Sequence, residues 1–375
     1  MSRLLFTPLA LLLAGVASAS DWTVSGDLRG GVFSSERDAR DGSRSDLTDA
    51  RARLRLALAR ELAPQWRFRA RLASRFGSEQ DGMHAFLRGN APTPTGTRLG
   101  DSTLDEFYLD YAPAGRDWSL RLGRFQTKFE LMGVAAKSLD RNDSPSTDVS
   151  WTDGLHWRYR GWPGWQAHLV LQHNHRRGPG TTARPPLDFS DGGSRVGMFA
   201  GLEASEARGP LVQRMIGLTW LPDALAVDGV TAPRREDYLA LTARAALAWP
   251  AGDGGRRWLF AGEAGHAPHT PRGSVVGTGR PASAGGSAWQ VSANLEHFVR
   301  DHHVGVVYGR ADAGWLLSPD FRNNDALAEI RYQWRIAPSL SLEARLRRRE
   351  ELEVPASAAR ERVDRDVYLR LSARF

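Results

Sequence analysis

The 375-residue chain contains no cysteine, which excludes disulfide staples and thiolate-held zinc or iron–sulfur sites. It has almost no lysine. Lys128 and Lys137 are the only two, so 48 of its 50 basic side chains are arginine. Beyond the first twenty residues there is no apolar run near the length a transmembrane helix needs, which excludes a helical membrane bundle. Signatures of catalysis are missing too. There is no Gly-x-Ser-x-Gly elbow, no His-Glu-x-x-His and no Gly-rich phosphate loop with lysine, so no enzyme is expected. The pairs His173 and His175, His266 and His269, and His302 and His303 have no third ligand at metal spacing, so neither a metal nor another cofactor is expected. Charge alone does not make the chain disordered, because 41% of its residues are hydrophobic and 9% aromatic.

What is present begins with a leader. Arg3 is followed by an apolar stretch through Leu4, Leu5, Leu9 to Leu13 and Val16, and then by Ala17-Ser18-Ala19. That reads as a secretory signal peptide over 1–19, cleaved after Ala19. Residues 20–375 then form one mature domain outside the cytoplasm. This location removes nucleic acid as the reason for a net charge of +7.

The mature chain alternates with a period of two. Ala50, Ala52, Leu54, Leu56 and Leu58 share one side of a segment, and Asp49, Arg51, Arg53 and Arg55 share the other. Trp66, Phe68, Ala70, Leu72 and Phe76 likewise oppose Arg67, Arg69, Arg71 and Arg75. A helix would scatter these arginines around its surface, whereas a strand puts them on one face. Fifteen such segments are clear, and a weak sixteenth is read at Leu225 to Thr231. Short turns (61–64, 113–117, 161–164, 250–256, 299–302 and 336–339) alternate with long polar loops. That pattern predicts an all-β, transmembrane, antiparallel up-and-down β-barrel of about 16 strands, with one rim of turns and one of loops.

Tryptophan decides against a soluble sandwich. Trp22, Trp66, Trp118, Trp165 and Trp258 open strands at the turn rim, and Trp157, Trp220, Trp249 and Trp334 are expected to close strands there. Trp151 and Trp289 are expected to mark the loop rim. Indole favours the membrane–water boundary, and aromatic girdles flank the apolar band of an outer-membrane barrel. Arginine facing lipid at midplane costs about 2–4 kcal/mol, so the arginine rows must face inward. The expected location is the bacterial outer membrane, with lipid and lipopolysaccharide around the wall.

Leu120-Arg121-Leu122-Gly123-Arg124-Phe125-Gln126-Thr127-Lys128-Phe129, followed by Trp151-Thr152-Asp153-Gly154-Leu155, resembles the midsection of Gram-negative outer-membrane porins, most closely the phosphate-selective type. The terminal Leu369-Arg370-Leu371-Ser372-Ala373-Arg374-Phe375 is similar to the aromatic-ended last strand of such barrels. The resemblance implies a homotrimer of sixteen-stranded barrels, each with its third loop folded into the lumen as a constriction. Here that loop is about 126–148, with Lys128, Lys137, Asp140, Arg141 and Asp143 as its candidate residues. It lacks the dense basic cluster that dedicated phosphate selectivity would want.

The expected function is a water-filled channel for passive diffusion of small polar solutes, with a mild preference for anions such as phosphate or organic acids. The candidate lining is Arg51, Arg53, Arg55, Arg67, Arg69, Arg71, Arg75 and Arg121. Asp105, Glu106 and Asp110, together with Asp140 and Asp143, are expected to face those arginines from the opposite side and set up a transverse field. An export channel for an anionic polysaccharide such as alginate is the alternative, because it would share the basic lumen.

Overall fold

The computed structural model describes residues 21–375 apart from 79, 81, 86–96, 144–145, 175–184, 230–232, 253–254, 279–280 and 356. The expected signal peptide lies outside the described residues. Sixteen long antiparallel strands form one closed sheet. In chain order they are β1 (Trp22–Asp38), β2 (Arg44–Ala63), β3 (Trp66–Gly77), β4 (Asp101–Tyr111), β5 (Trp118–Phe125) and β6 (Thr152–Trp162). They continue as β7 (Trp165–His173), β8 (Val196–Ala204), β9 (Leu211–Ala226), β10 (Arg235–Pro250) and β11 (Arg257–His266). The last five are β12 (Ser287–Val299), β13 (His302–Ala311), β14 (Asp325–Ala337), β15 (Leu340–Glu351) and β16 (Val363–Arg374). Each strand pairs with its neighbours in sequence, and β1 pairs with β16 from Asp27↔Arg374 to Asp38↔Val363 to close the cylinder. Closure pairs the edge strands, which is what a sheet needs to exist in hydrocarbon.

Period-two patterning sets which face is which. Leu28, Phe107, Ile216, Leu241, Val306, Leu346 and Leu369 are exposed on the outer face. On β1 the apolar row runs from Trp22 to Val32. Ten residues at about 3.3 Å each, tilted by about 40°, give a band roughly 25 Å tall, the height of a barrel's hydrocarbon belt. Trp22, Trp66, Trp162, Trp249, Trp258 and Trp334 stand exposed at the turn rim. That rim is built from tight connections such as Pro163-Gly164, where Gly164 has φ of 72°, the left-handed value a turn's third position requires.

Two expectations are corrected. The sixteenth strand is Val196–Ala204, inside the stretch 175–210 that the sequence pattern marks as a long polar loop; of the expected strand at 225–231, residues 230–231 lie outside the described residues. Leu225 and Ala226 are the end of β9, so Trp220 sits toward the loop rim rather than the turn rim. Trp151 is not an outer girdle residue either. It is 1% exposed, with the Arg124 guanidinium 4.5 Å from its ring centroid. Both errors have one cause. The inner face beside these segments is packed with protein rather than water, so polar alternation disappears there.

Candidate functional site

The inward face of the barrel is unequal around its circumference. The described residues between β5 and β6, 126–143 and 146–151, do not leave the barrel but cross its interior. At the base of this loop, Lys128–Phe129 pairs with Arg141–Asn142 as a two-stranded ladder. Gly154 just beyond it has φ of 152°, and a Cβ there would meet the Leu171 carbonyl oxygen at 2.0 Å, so the wall can fold this closely only with glycine.

The loop's far end is fixed to the opposite wall. Lys137 Nζ reaches Glu329 Oε2 on β14 at 2.8 Å. Asp140 accepts from Arg244 Nη2 on β10 at 2.8 and 2.9 Å and from Thr242 Oγ1 at 2.9 Å. Arg244 also meets Glu263 of β11 at 2.7 Å, whose second oxygen accepts the Leu139 N–H at 3.1 Å. Burial pushes the Lys137 ammonium down to about 8, against the pull of Glu329. Burial would also raise the Asp140 carboxyl, but Arg244 and its hydrogen-bond donors hold it below its ordinary value. Burial does win at Asp143, whose carboxyl lies above its ordinary value although Thr127 and Thr152 donate to it.

The returning limb is held by arginine. Arg29 Nη1 donates to the Ser146 carbonyl at 3.1 Å, and Arg370 Nη1 to the Ser146 hydroxyl at 3.1 Å. Arg53 donates to the Asp148 carbonyl at 3.1 Å, and Arg75 pairs with the Asp148 carboxylate at 2.7 Å.

The loop therefore divides the interior. On the β6–β13 side the space is filled by apolar clusters, including Phe125, Phe129, Phe199 and Met215. Trp315, Leu316 and Phe321 of the 312–324 loop complete the filling near Leu139 and Tyr238. On the other side, along β1, β2 and β14–β16, a polar cavity of about 830 Å³ remains. Fourteen cationic side chains and five carboxylates line it.

Arg51, Arg55, Arg75, Lys128 and Lys137 are on this cavity. Arg53 is fully buried beneath the loop, beside Asp27 at 3.1 Å, and Arg55 meets the other Asp27 oxygen at 2.6 Å. Arg67 stands exposed at the turn rim, 3.7 Å from Glu61. Arg141 is buried in the loop, with its guanidinium 5.2 Å from the Phe199 ring centroid.

The expected transverse field is not built as described. Asp105, Glu106 and Asp110 lie on β4, immediately beside β3, and they pair along that wall rather than across the lumen. Arg69 meets Glu106 at 2.6 Å, Arg71 meets Asp105 at 2.9 Å, and Arg121 meets Asp110 at 2.7 Å. Asp140 and Asp143 point into the packed side. The acids thus neutralise Arg69 and Arg71 of β3 and Arg121 of β5 locally.

The larger group of lining cations sits elsewhere, on strands whose arginines the sequence reading did not name as lining. Arg331 of β14, Arg345, Arg347 and Arg349 of β15, Arg370 of β16 and Arg29 of β1 all line the cavity. The signal was present in the chain: Arg345, Arg347 and Arg349 alternate with apolar or outward positions as strictly as Arg51, Arg53 and Arg55 do.

No protein-family model and no curated protein matches the chain. Solved structures do. Pseudomonas putida OprB at high pH is 12% identical, with 98% of this chain and 96% of that one covered and a TM-score of 0.62. An anion-selective porin from Comamonas acidovorans is 10% identical over 94% and 99%, with a TM-score of 0.57. The outer membrane channel DcaP of Acinetobacter baumannii is 14% identical over 95% and 97%, with a TM-score of 0.56. The likeness is one of fold. This chain has the architecture they share, a closed antiparallel β-barrel of sixteen strands.

Proposed function

We propose that the protein is a porin of the bacterial outer membrane whose passage favours small anions, with phosphate and organic acids as the solute class. The observation that carries this is the lining of the open cavity, where fourteen cations face five carboxylates and outnumber them even when Asp49, Glu329, Asp364 and Asp366, paired behind the lining, are counted. An excess of one sign on low-dielectric walls concentrates counter-ions inside. Arginines two apart on a strand stand about 7 Å from one another, so a solute moving along the wall meets a fresh guanidinium at each step. Guanidinium binds carboxylate and phosphate through paired N–H groups. The apolar belt takes outer-membrane lipid, with lipopolysaccharide on the loop side, and a homotrimer completes the reading. The loop across the lumen favours small solutes over an exported polysaccharide such as alginate, because it leaves only one side of the barrel open.

The test is uptake into proteoliposomes. Phosphate and small carboxylates are expected to enter faster than cations of matched size, and equal or inverted rates would remove the proposal.

A further inference from the structure

The cationic wall carries two aromatic side chains that conduction itself does not use. Phe33 of β1 and Tyr368 of β16 are register partners across the seam that closes the barrel. Both face inward and both are buried, at 9% and 2% exposure. Their ring centroids are 5.3 Å apart at an interplanar angle of 53°. Three guanidinium groups lie on these rings. Arg345 is 4.1 Å and Arg370 is 5.2 Å from the Tyr368 centroid, and Arg51 is 5.4 Å from that of Phe33.

Each guanidinium is also held by a carboxylate. Arg345 meets Asp366, Arg370 donates to Glu343 at 2.9 Å, and Arg51 donates to Asp49 at 2.7 Å. The Tyr368 hydroxyl donates to Glu343 as well. Gly31 stands between Arg370 and Arg51 in the register and has no side chain, so both arginines have room to turn toward the rings.

A ring face attracts a cation, while the in-plane N–H edge of a stacked guanidinium stays available. A long arginine side chain otherwise loses rotamer entropy whenever an anion fixes it. We infer that Phe33 and Tyr368 are positioning residues: their faces hold Arg51, Arg345 and Arg370 against the wall with N–H edges toward the passage, so that an anion meets a preset array. This rests on the anion-conducting reading for its purpose, but the geometry can be tested without it.

The experiment compares the whole folded protein with its Tyr368→Leu and Tyr368→Phe variants in detergent. Phenylglyoxal modification of each arginine is followed by peptide mass spectrometry, with Arg67 at the turn rim as internal reference. Loss of the ring should speed modification of Arg345 and Arg370 relative to Arg67 by about fivefold, the change that a contact of about 1 kcal/mol corresponds to. Tyr368→Phe should leave those rates unchanged, and Phe33→Leu repeats the test at Arg51. Wild-type rates in the Leu variants would overturn the inference. So would a Tyr368→Phe variant as reactive as Tyr368→Leu, because the hydroxyl rather than the ring would then be the holder. Reversal potentials supply the second readout: Tyr368→Leu should weaken anion preference and Tyr368→Phe should keep it. A wild type without anion preference would remove the channel reading, while the modification rates would still decide the positioning role.

Discussion

Asp140→Ala should raise the single-channel conductance, because it releases the loop that fills half the barrel. Asp140 is 2% exposed and accepts from Ser138 Oγ at 2.8 Å, Thr242 Oγ1 at 2.9 Å and Arg244 at 2.8 and 2.9 Å. Alanine removes all of these and leaves Arg244 facing only Glu263 in a buried setting. Because Arg244 keeps Glu263, what is lost is a set of charge-assisted hydrogen bonds and not the whole ion pair, about 1.5–3 kcal/mol. At about 1.4 kcal/mol per decade, the docked loop loses roughly one to two powers of ten in population. Lys137→Met should act in the same direction more weakly, since Glu329 keeps Arg331 as a partner at 3.0 Å. Planar-bilayer recordings provide the check. An Asp140→Ala channel that folds, as judged by heat-modifiable gel migration, yet conducts like wild type would show that this carboxylate does not fasten the loop.

The second large effect is expected at Arg29. It lies directly across the β1–β2 register from Arg53 and shares Ser146 with Arg370 at the returning limb of the loop. Arg29→Glu changes the local charge by two at the place where loop and wall approach. For an anion passing within about 6 Å, each unit charge contributes about 0.7 kcal/mol even at the dielectric constant of water. The pair of changes therefore amounts to about 1.4 kcal/mol, or roughly a tenfold fall in the anion-to-cation permeability ratio. Arg29→Gln should give about half of that free energy. The ratio comes from zero-current potentials. A selectivity that does not move in Arg29→Glu would place the passage somewhere other than beside Ser146.

The barrel was legible wherever one face of a strand touches lipid and the other touches water. Arg51, Arg53 and Arg55 alternating with Ala52, Leu54 and Leu56 needed nothing else. Legibility failed where the inner face touches protein. Val196–Ala204 offers Phe199 to the packed interior and glycines at 197 and 201, so Glu203 at its end is the one charge its inner row carries to mark it. Leu225 and Ala226 look like a strand of their own because both are buried against the interior plug rather than alternating. The placement of the acids was open to inference but was misread. Strands consecutive in sequence are neighbours in an up-and-down barrel, so Asp105, Glu106 and Asp110 on β4 had to fall beside the arginines of β3. The loop's anchors were not legible, because Arg244, Glu263 and Glu329 are far from residue 140 in sequence and meet it only through closure of the barrel.

The most direct test is the sign of the zero-current potential of the wild-type channel under a potassium chloride gradient. Fourteen cations line the open cavity against five carboxylates, and even with Asp49, Glu329, Asp364 and Asp366 paired behind them the cations stay in excess, which predicts reversal toward the chloride equilibrium potential. Reversal toward the potassium potential would contradict the account.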